Sequence, residues 1–173
     1  MKAIKKFLRK GRFQRNSVTL RRDLESLEDS YFLPVIRWMN RQLINISQAS
    51  GRRIVYLMGK AEGHNENWHG HVTALTVAPQ YRRLGLANQL MDILEDISEK
   101  KNCYFVDLFV RVSNAVAISM YKKLGYIVYR TVLQYYSGDP DEDAYDMRKA
   151  LSRDVKRKSI IPLNEPVRPE DIE

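Results

Sequence analysis

Cysteine is nearly absent: Cys103 stands alone among 173 residues, so no internal disulfide can form and a disulfide-stapled extracellular scaffold is excluded. Histidine is scarce as well. His64, His69 and His71 with a single thiol make a poor tetrahedral zinc set, which argues against a zinc finger and leads us to expect no metal. No apolar run approaches the roughly 20 residues that span a bilayer, and no basic stretch is followed by the apolar core and cleavage site of a signal peptide. The expectation is a soluble, cytoplasmic protein with no membrane partner. The glycines fit neither the G-x-G-x-x-G nor the G-x-x-x-x-G-K-[ST] spacing, so a Rossmann dinucleotide site and a P-loop are poor fits.

What is present suffices for one globular domain with a real core, since 44% of residues are apolar and 29% charged. The formal net charge of +8 looks like a nucleic-acid signal until it is divided along the chain. Residues 1–22 hold nine Lys or Arg and no acid, leaving 20 basic against 21 acidic groups in the other 151. The basic character therefore belongs to an N-terminal arm, followed by a domain over residues 23–150 and a tail over residues 151–173. Such an arm can be a solvated leader, or it can bind ribosomal RNA or anionic lipid by counterion release. Ile4, Phe7 and Leu8 sit at helical spacing among basic residues, so a mitochondrial presequence is a third reading, weakened by Gly11.

Residues 23–29 read as a short helix, whereas residues 38–46 show no clean period. An apolar strand covers residues 54–58 and another residues 71–77. Pro79 ends the second, and Leu84, Ala87, Leu90, Met91, Leu94 and Ile97 then repeat at helical spacing. Residues 104–112 are β-branched and aromatic, apolar on both faces, as in a central strand. A second helix follows, capped by Ser113 or Asn114, lined by Val116, Ala117, Met120, Tyr121 and Leu124, and closed by Gly125. Residues 126–136 return as a strand, 138–143 form an acidic loop, 144–149 add a last strand, and the Pro-rich end from residue 159 is extended.

The chemistry concentrates in the turn Arg82-Arg83-Leu84-Gly85-Leu86-Ala87, between a strand and a helix. The free N–H groups and positive dipole of a helix N-terminus can cradle a pyrophosphate there. Gly85 and Ala87 keep the approach clear, and Arg82 and Arg83 add charge, although two arginines in a turn are ordinarily just solvated. This strand, R-x-x-G-x-A and helix resemble motif A of the GNAT acyltransferase family, and Asn114-Ala115-Val116-Ala117-Ile118-Ser119-Met120-Tyr121 with Gly125-Tyr126 resembles its motif B. The similarity narrows further. The stretches 58–63, 68–75, 107–114 and 140–149, with the tail segments 158–163 and 167–173, closely resemble the catalytic subunits of N-terminal acetyltransferase B (NatB) complexes. In the first third only residues 27–34 resemble that pattern, which would put Asp29 and Tyr31 beside the substrate; the rest diverges.

The resemblance implies a GNAT-like acyl-CoA N-acyltransferase fold of the α/β class, with a mixed central sheet and helices on both faces. It implies acetyl-CoA as cosubstrate, nascent polypeptide N-termini beginning Met-Asp, Met-Glu, Met-Asn or Met-Gln as acceptors, and a NatB-type auxiliary subunit as partner. Backbone groups of Leu75, Thr76 and Val77 would hold the pantetheine arm like an added strand. Asn114 would hold an amide by donor and acceptor beside Ala117, while residues 82–87 take the pyrophosphate. Tyr121 would serve as general acid or cosubstrate positioner; its bland alternative on spacing alone is a core aromatic with a satisfied hydroxyl. His71 would be the base, or the partner with Thr73 of the acceptor's second side chain; otherwise it is a surface histidine. Tyr135 and Tyr136 would bond the acceptor backbone, or simply end a strand. An α-amine with a pKa near about 8 needs only a mild base, unlike a lysine. Cys103 reads as buried filler. A GNAT enzyme acting on lysine or a small amine, and a catalytically impaired paralogue, remain as alternatives.

Overall fold

The computed structural model describes the backbone of residues 32–38, 41–48 and 53–172, and side chains from Val55 onward. The basic arm, the short helix expected over residues 23–29, and Tyr31 lie outside the described residues. The elements run β1 (Phe32–Trp38), β2 (Arg41–Gln48), β3 (Arg53–Glu62), β4 (His69–Val77), α1 (Leu86–Lys100), β5 (Phe105–Arg111), α2 (Ala115–Lys123), β6 (Ile127–Tyr136) and β7 (Glu142–Ala150). They build a seven-stranded sheet in the order β1-β2-β3-β4-β5-β7-β6. Every neighbouring pair is antiparallel except β4 with β5. The aperiodic run 38–46 therefore holds the end of β1 and most of β2, whose conformation is set by cross-strand pairing such as Leu43 with Met58.

Register assigns the two sheet faces. His69 pairs with Phe105 and His71 with Asp107 on one face, while Gly70 with Val106 and Val72 with Leu108 belong to the other. The second face is apolar. Val55, Leu57, Val72, Val106, Leu108 and Met147 join Leu90, Met91 and Leu94 of α1 and Tyr121 of α2 in one buried cluster. Each fully buried aliphatic side chain there stabilises the fold by about 1.5–3 kcal/mol. Gly70 lets α1 lie directly on the sheet, because a Cβ at that position would collide with Ser98.

The C-terminal segment departs from the free extended tail that its prolines suggest. It makes short 3-10 turns at Lys158–Ile160 and Pro169–Asp171 and docks along the outer edge of β6. Leu163 donates to the Tyr129 carbonyl at 2.7 Å, and Val167 donates to Thr131 at 3.0 Å while accepting from Leu133 at 2.9 Å. An edge that would otherwise present unpaired backbone is thereby covered.

Candidate active site

The two central parallel strands pair over only four positions, His69–Val72 with Phe105–Leu108, and then part. β3 stays paired with β4 as far as Val77, across a bulge at Thr73, and β7 keeps its register on β5 as far as Arg111, so each strand stays in its half of the sheet. From Thr73 to Val77 the edge of β4 facing β5 has no strand partner among the described residues. This edge, about 16 Å long at the rise of an extended chain, includes the predicted backbone of Leu75, Thr76 and Val77. A molecule with amide groups can complete it as another strand would.

At the open end of the gap the chain turns into α1. Gly85, at φ 77°, stands at the helix N-cap position, and a Cβ there would meet nothing within 4 Å. No side chain caps α1, and its first turn carries no acid. The first intrahelical bond is from Gln89 N to Gly85 O at 3.2 Å, so the amides of Leu86, Ala87 and Asn88 are left for an anion. Arg82 is partly committed, since its Nε donates to the Val77 carbonyl at 3.1 Å and braces the turn. Arg83 and Leu84 are exposed. The Leu86 side chain is buried in the apolar cluster, so among the expected contacts it offers only its amide.

At the closed end, beside the last paired residues, His71 Nδ1 lies 2.8 Å from Asp107 Oδ1. A carboxylate only accepts, so Nδ1 carries the proton and a neutral ring keeps its lone pair on Nε2. Burial alone would raise the Asp107 pKa, but the His71 hydrogen bond and the charges of His69, His71 and Arg148 hold it below the ordinary carboxylate value. Phe109, the first β5 residue past the paired segment, connects the aromatic side chains. His71 tilts against it at 5.8 Å between ring centroids, and Tyr135 stacks on it at 4.6 Å. Tyr136 donates its hydroxyl to the Phe109 carbonyl at 3.1 Å and meets Tyr135 edge-on. Thr73 is exposed on the unpaired edge of β4.

α2 brings the second wall. Asn114 Oδ1 accepts from Ala117 N at 3.1 Å, the helix cap expected of it. One lone pair of its oxygen serves the cap, and the second lone pair and the NH₂ group are what the side chain has for an amide. Ala117 packs against the core. Tyr121 is 8% exposed, and burial, with Tyr136 nearby, pushes its hydroxyl up to about 12. Cys103 is fully buried, and burial pushes its thiol up to about 11, which disqualifies it as a nucleophile.

The whole-chain pattern agrees with this geometry. Residues 16–126 match the family model described as the acetyltransferase (GNAT) family. The chain belongs to the GNAT acetyltransferases. This GNAT protein is 51% identical over 176 residues to the N-terminal acetyltransferase B complex catalytic subunit NAA20 of Arabidopsis thaliana, covering 100% of this chain and 99% of that one. The crystal structure of the Chaetomium thermophilum protein of that name, in complex with a bisubstrate analogue, superposes with a TM-score of 0.68 at 42% identity, covering 74% of this chain and 76% of the other. The NatB acetyltransferase complex bound to CoA and MES matches with a TM-score of 0.53 at 37% identity, over 79% and 83%. The first third, where little could be read from sequence, is thus inside the alignment with the plant relative.

The fold gathers His71, Tyr135 and Tyr136 around Phe109, and separately gathers the Gly85 turn and the β4 edge. Asp107 and Phe109 were not anticipated in the site. Asp107 carried a legible signal, as the one carboxylate in the apolar strand Phe105-Val106-Asp107-Leu108-Phe109-Val110. A buried carboxylate needs a partner.

Proposed function

We propose that this GNAT enzyme transfers the acetyl group of acetyl-CoA to the α-amino group of protein N-termini beginning Met-Asp, Met-Glu, Met-Asn or Met-Gln. It acts as the catalytic subunit of a NatB-type complex with an auxiliary subunit, in the cytoplasm, and the basic arm lies near the ribosome. One observation carries the reading: a single gap between β4 and β5 runs from an uncapped helix N-terminus to an Asp107-backed His71.

The residues fit the cosubstrate. Open space at Gly85 and three free amides suit a pyrophosphate, and the unpaired β4 edge suits the amides of a pantetheine arm. Acetyl-CoA supplies the activated acyl group as a thioester. His71 Nε2 accepts a proton from the acceptor's ammonium group, directly or through one water, and Asp107 orients the ring and stabilises the imidazolium. The amine's pKa near about 8 makes this a small step. As the new C–N bond forms and the C–S bond breaks, negative charge passes to oxygen and then sulfur, and the nitrogen's second proton leaves to solvent. A hydroxyl at about 12 is a weaker acid than a thiol at about 8.5, so Tyr121 stabilises that charge by hydrogen bonding and the thiolate takes its final proton from solvent. Tyr135 and Tyr136, fixed by Phe109, orient the acceptor backbone.

Acetyl transfer to Met-Asp, Met-Leu and Ser-initiated peptides and to an internal lysine peptide tests this, with the auxiliary subunit present. Selective turnover of Met-Asp is expected; turnover confined to lysine would contradict the assignment.

A further inference from the structure

We propose that Glu62, His69, His71 and Asp107 bind one divalent transition-metal ion, with zinc the best match to the donor set, and that the bound ion silences His71. The ion site rests on geometry alone; its effect on turnover rests on the reading of His71 as base. The pairs Glu62 with His69 and His71 with Asp107 put all four side chains on one sheet face across β3, β4 and β5. Scarce as histidine is, the period of two along β4 brings two of the three together.

The donor atoms lie close together. His69 Nε2 lies 3.6 Å from Asp107 Oδ2 and 3.9 Å from Glu62 Oε1; His71 Nδ1 lies 3.9 Å from Glu62 Oε1 and 2.8 Å from Asp107 Oδ1. The donors of Glu62, His69 and His71 are all within 4.8 Å of one another. A tetrahedral ion with bonds of about 2.0–2.2 Å holds its ligands about 3.3–3.6 Å apart, so small side-chain adjustments complete the site. His69 is prepared for the role. Its side chain is 8% exposed and stacked on Phe105, and its Nδ1 donates to the Asn67 carbonyl at 2.6 Å. That bond fixes the ring orientation and turns Nε2 toward the two carboxylates, the outer-shell arrangement of metal-ligating histidines. Lys60 pairs with the other Glu62 oxygen, Oε2, and leaves Oε1 turned to the histidines. Two carboxylates and two imidazoles make the mixed oxygen and nitrogen donor set that zinc takes.

A metal on His71 Nδ1 displaces the hydrogen bond to Asp107 and moves the ring's one proton to Nε2. The lone pair used as base is then gone, without any change at the acetyl-CoA gap.

The test titrates chelator-treated full-length chain with zinc chloride against a chromophoric chelator, and with cobalt(II), whose visible absorption reports tetrahedral coordination. One ion per chain is expected. Glu62→Gln and His69→Gln should each weaken binding at least about tenfold, while His64→Gln and Cys103→Ser leave it unchanged. Zinc should inhibit acetyl transfer by the wild type reversibly on chelation, with a correspondingly higher inhibitory concentration for Glu62→Gln. Absence of binding, or binding lost only in the His64 or Cys103 variant, overturns the site. Binding with the expected dependence but without inhibition overturns the link to His71 and counts against its role as base.

Discussion

Tyr121 and Asp107 owe their assigned roles to burial and neighbours rather than to residue type. Tyr121 sits among apolar side chains with its hydroxyl pushed up to about 12, so it stays protonated throughout the range in which the enzyme can be assayed. The rate should hold level to pH 10, with no alkaline decline near the ordinary tyrosine value; a decline there that disappears in Tyr121→Phe would contradict this. Tyr121→Phe should lower kcat by about 10²–10³-fold, the usual loss on removing one donor to developing charge, with little change in the KM for acetyl-CoA. Asp107 is a positioning residue. Asp107→Asn should lower kcat by about 10²–10⁴-fold, the range of general-base catalysis, and Asp107→Glu should recover part of that. Equal losses in both variants, accompanied by unfolding, would reduce Asp107 to a structural role. In the sequence, His71 and Tyr121 could be singled out only through resemblance, because each residue type in isolation has a commoner bland role. Asp107 was visible as a lone charge in an apolar strand, but its partner lies 36 residues away, a separation that only the β4–β5 register resolves.

Helices and turns were the most legible elements, because their signals are local. The period from Leu84 to Ile97 marks α1, and Asn114 caps α2 as its type and place suggest. β1 and β2 were not legible, since their conformation depends on pairing with β3. The turn before α1 carries its own prediction. Gly85→Val puts a branched side chain at φ 77° in the space left for the cosubstrate, so the KM for acetyl-CoA should rise at least tenfold, about 1.4 kcal/mol, with the peptide KM unaffected. An unchanged acetyl-CoA KM would remove the pyrophosphate from this turn. On the opposite side of the gap, Glu142 of β7 accepts from Ser113 N at 3.0 Å and from Arg111 at 2.7 Å, tying the turn before α2 to the β6–β7 hairpin. These bonds, Ser113 first and then Arg111, hold its carboxyl down from 4.5 to about 2. A depressed carboxyl contributes stability above its unfolded value that is lost as pH falls through the folded one. The stability difference between wild type and Glu142→Gln should therefore be full above pH 4.5 and shrink below it, as read by urea unfolding at stepped pH. A difference that stays constant to pH 3 would show that the bonds are not made in solution.

At the scale of the whole molecule, two halves of a sheet share one short parallel seam, and His71, Asp107 and Phe109 lie where that seam ends. The seam itself could not be read from sequence, because β4 and β5 are separated by the whole of α1 and nothing local states where they stop pairing. The docking of the tail on the β6 edge through Val167 was equally beyond local signals. Charge, by contrast, was legible directly: with the basic excess confined to residues 1–22, the remaining chain is nearly neutral. A nucleic-acid reading of the catalytic domain therefore has no support from composition. The central claim is that the gap between β4 and β5 serves an α-amine. Acetylation of a Met-Asp peptide should be compared directly with that of the same peptide carrying a blocked N-terminus and a free internal lysine, in the complex with the auxiliary subunit. The account predicts turnover of the first and none of the second; turnover of the blocked lysine peptide with none of the free Met-Asp terminus would contradict it.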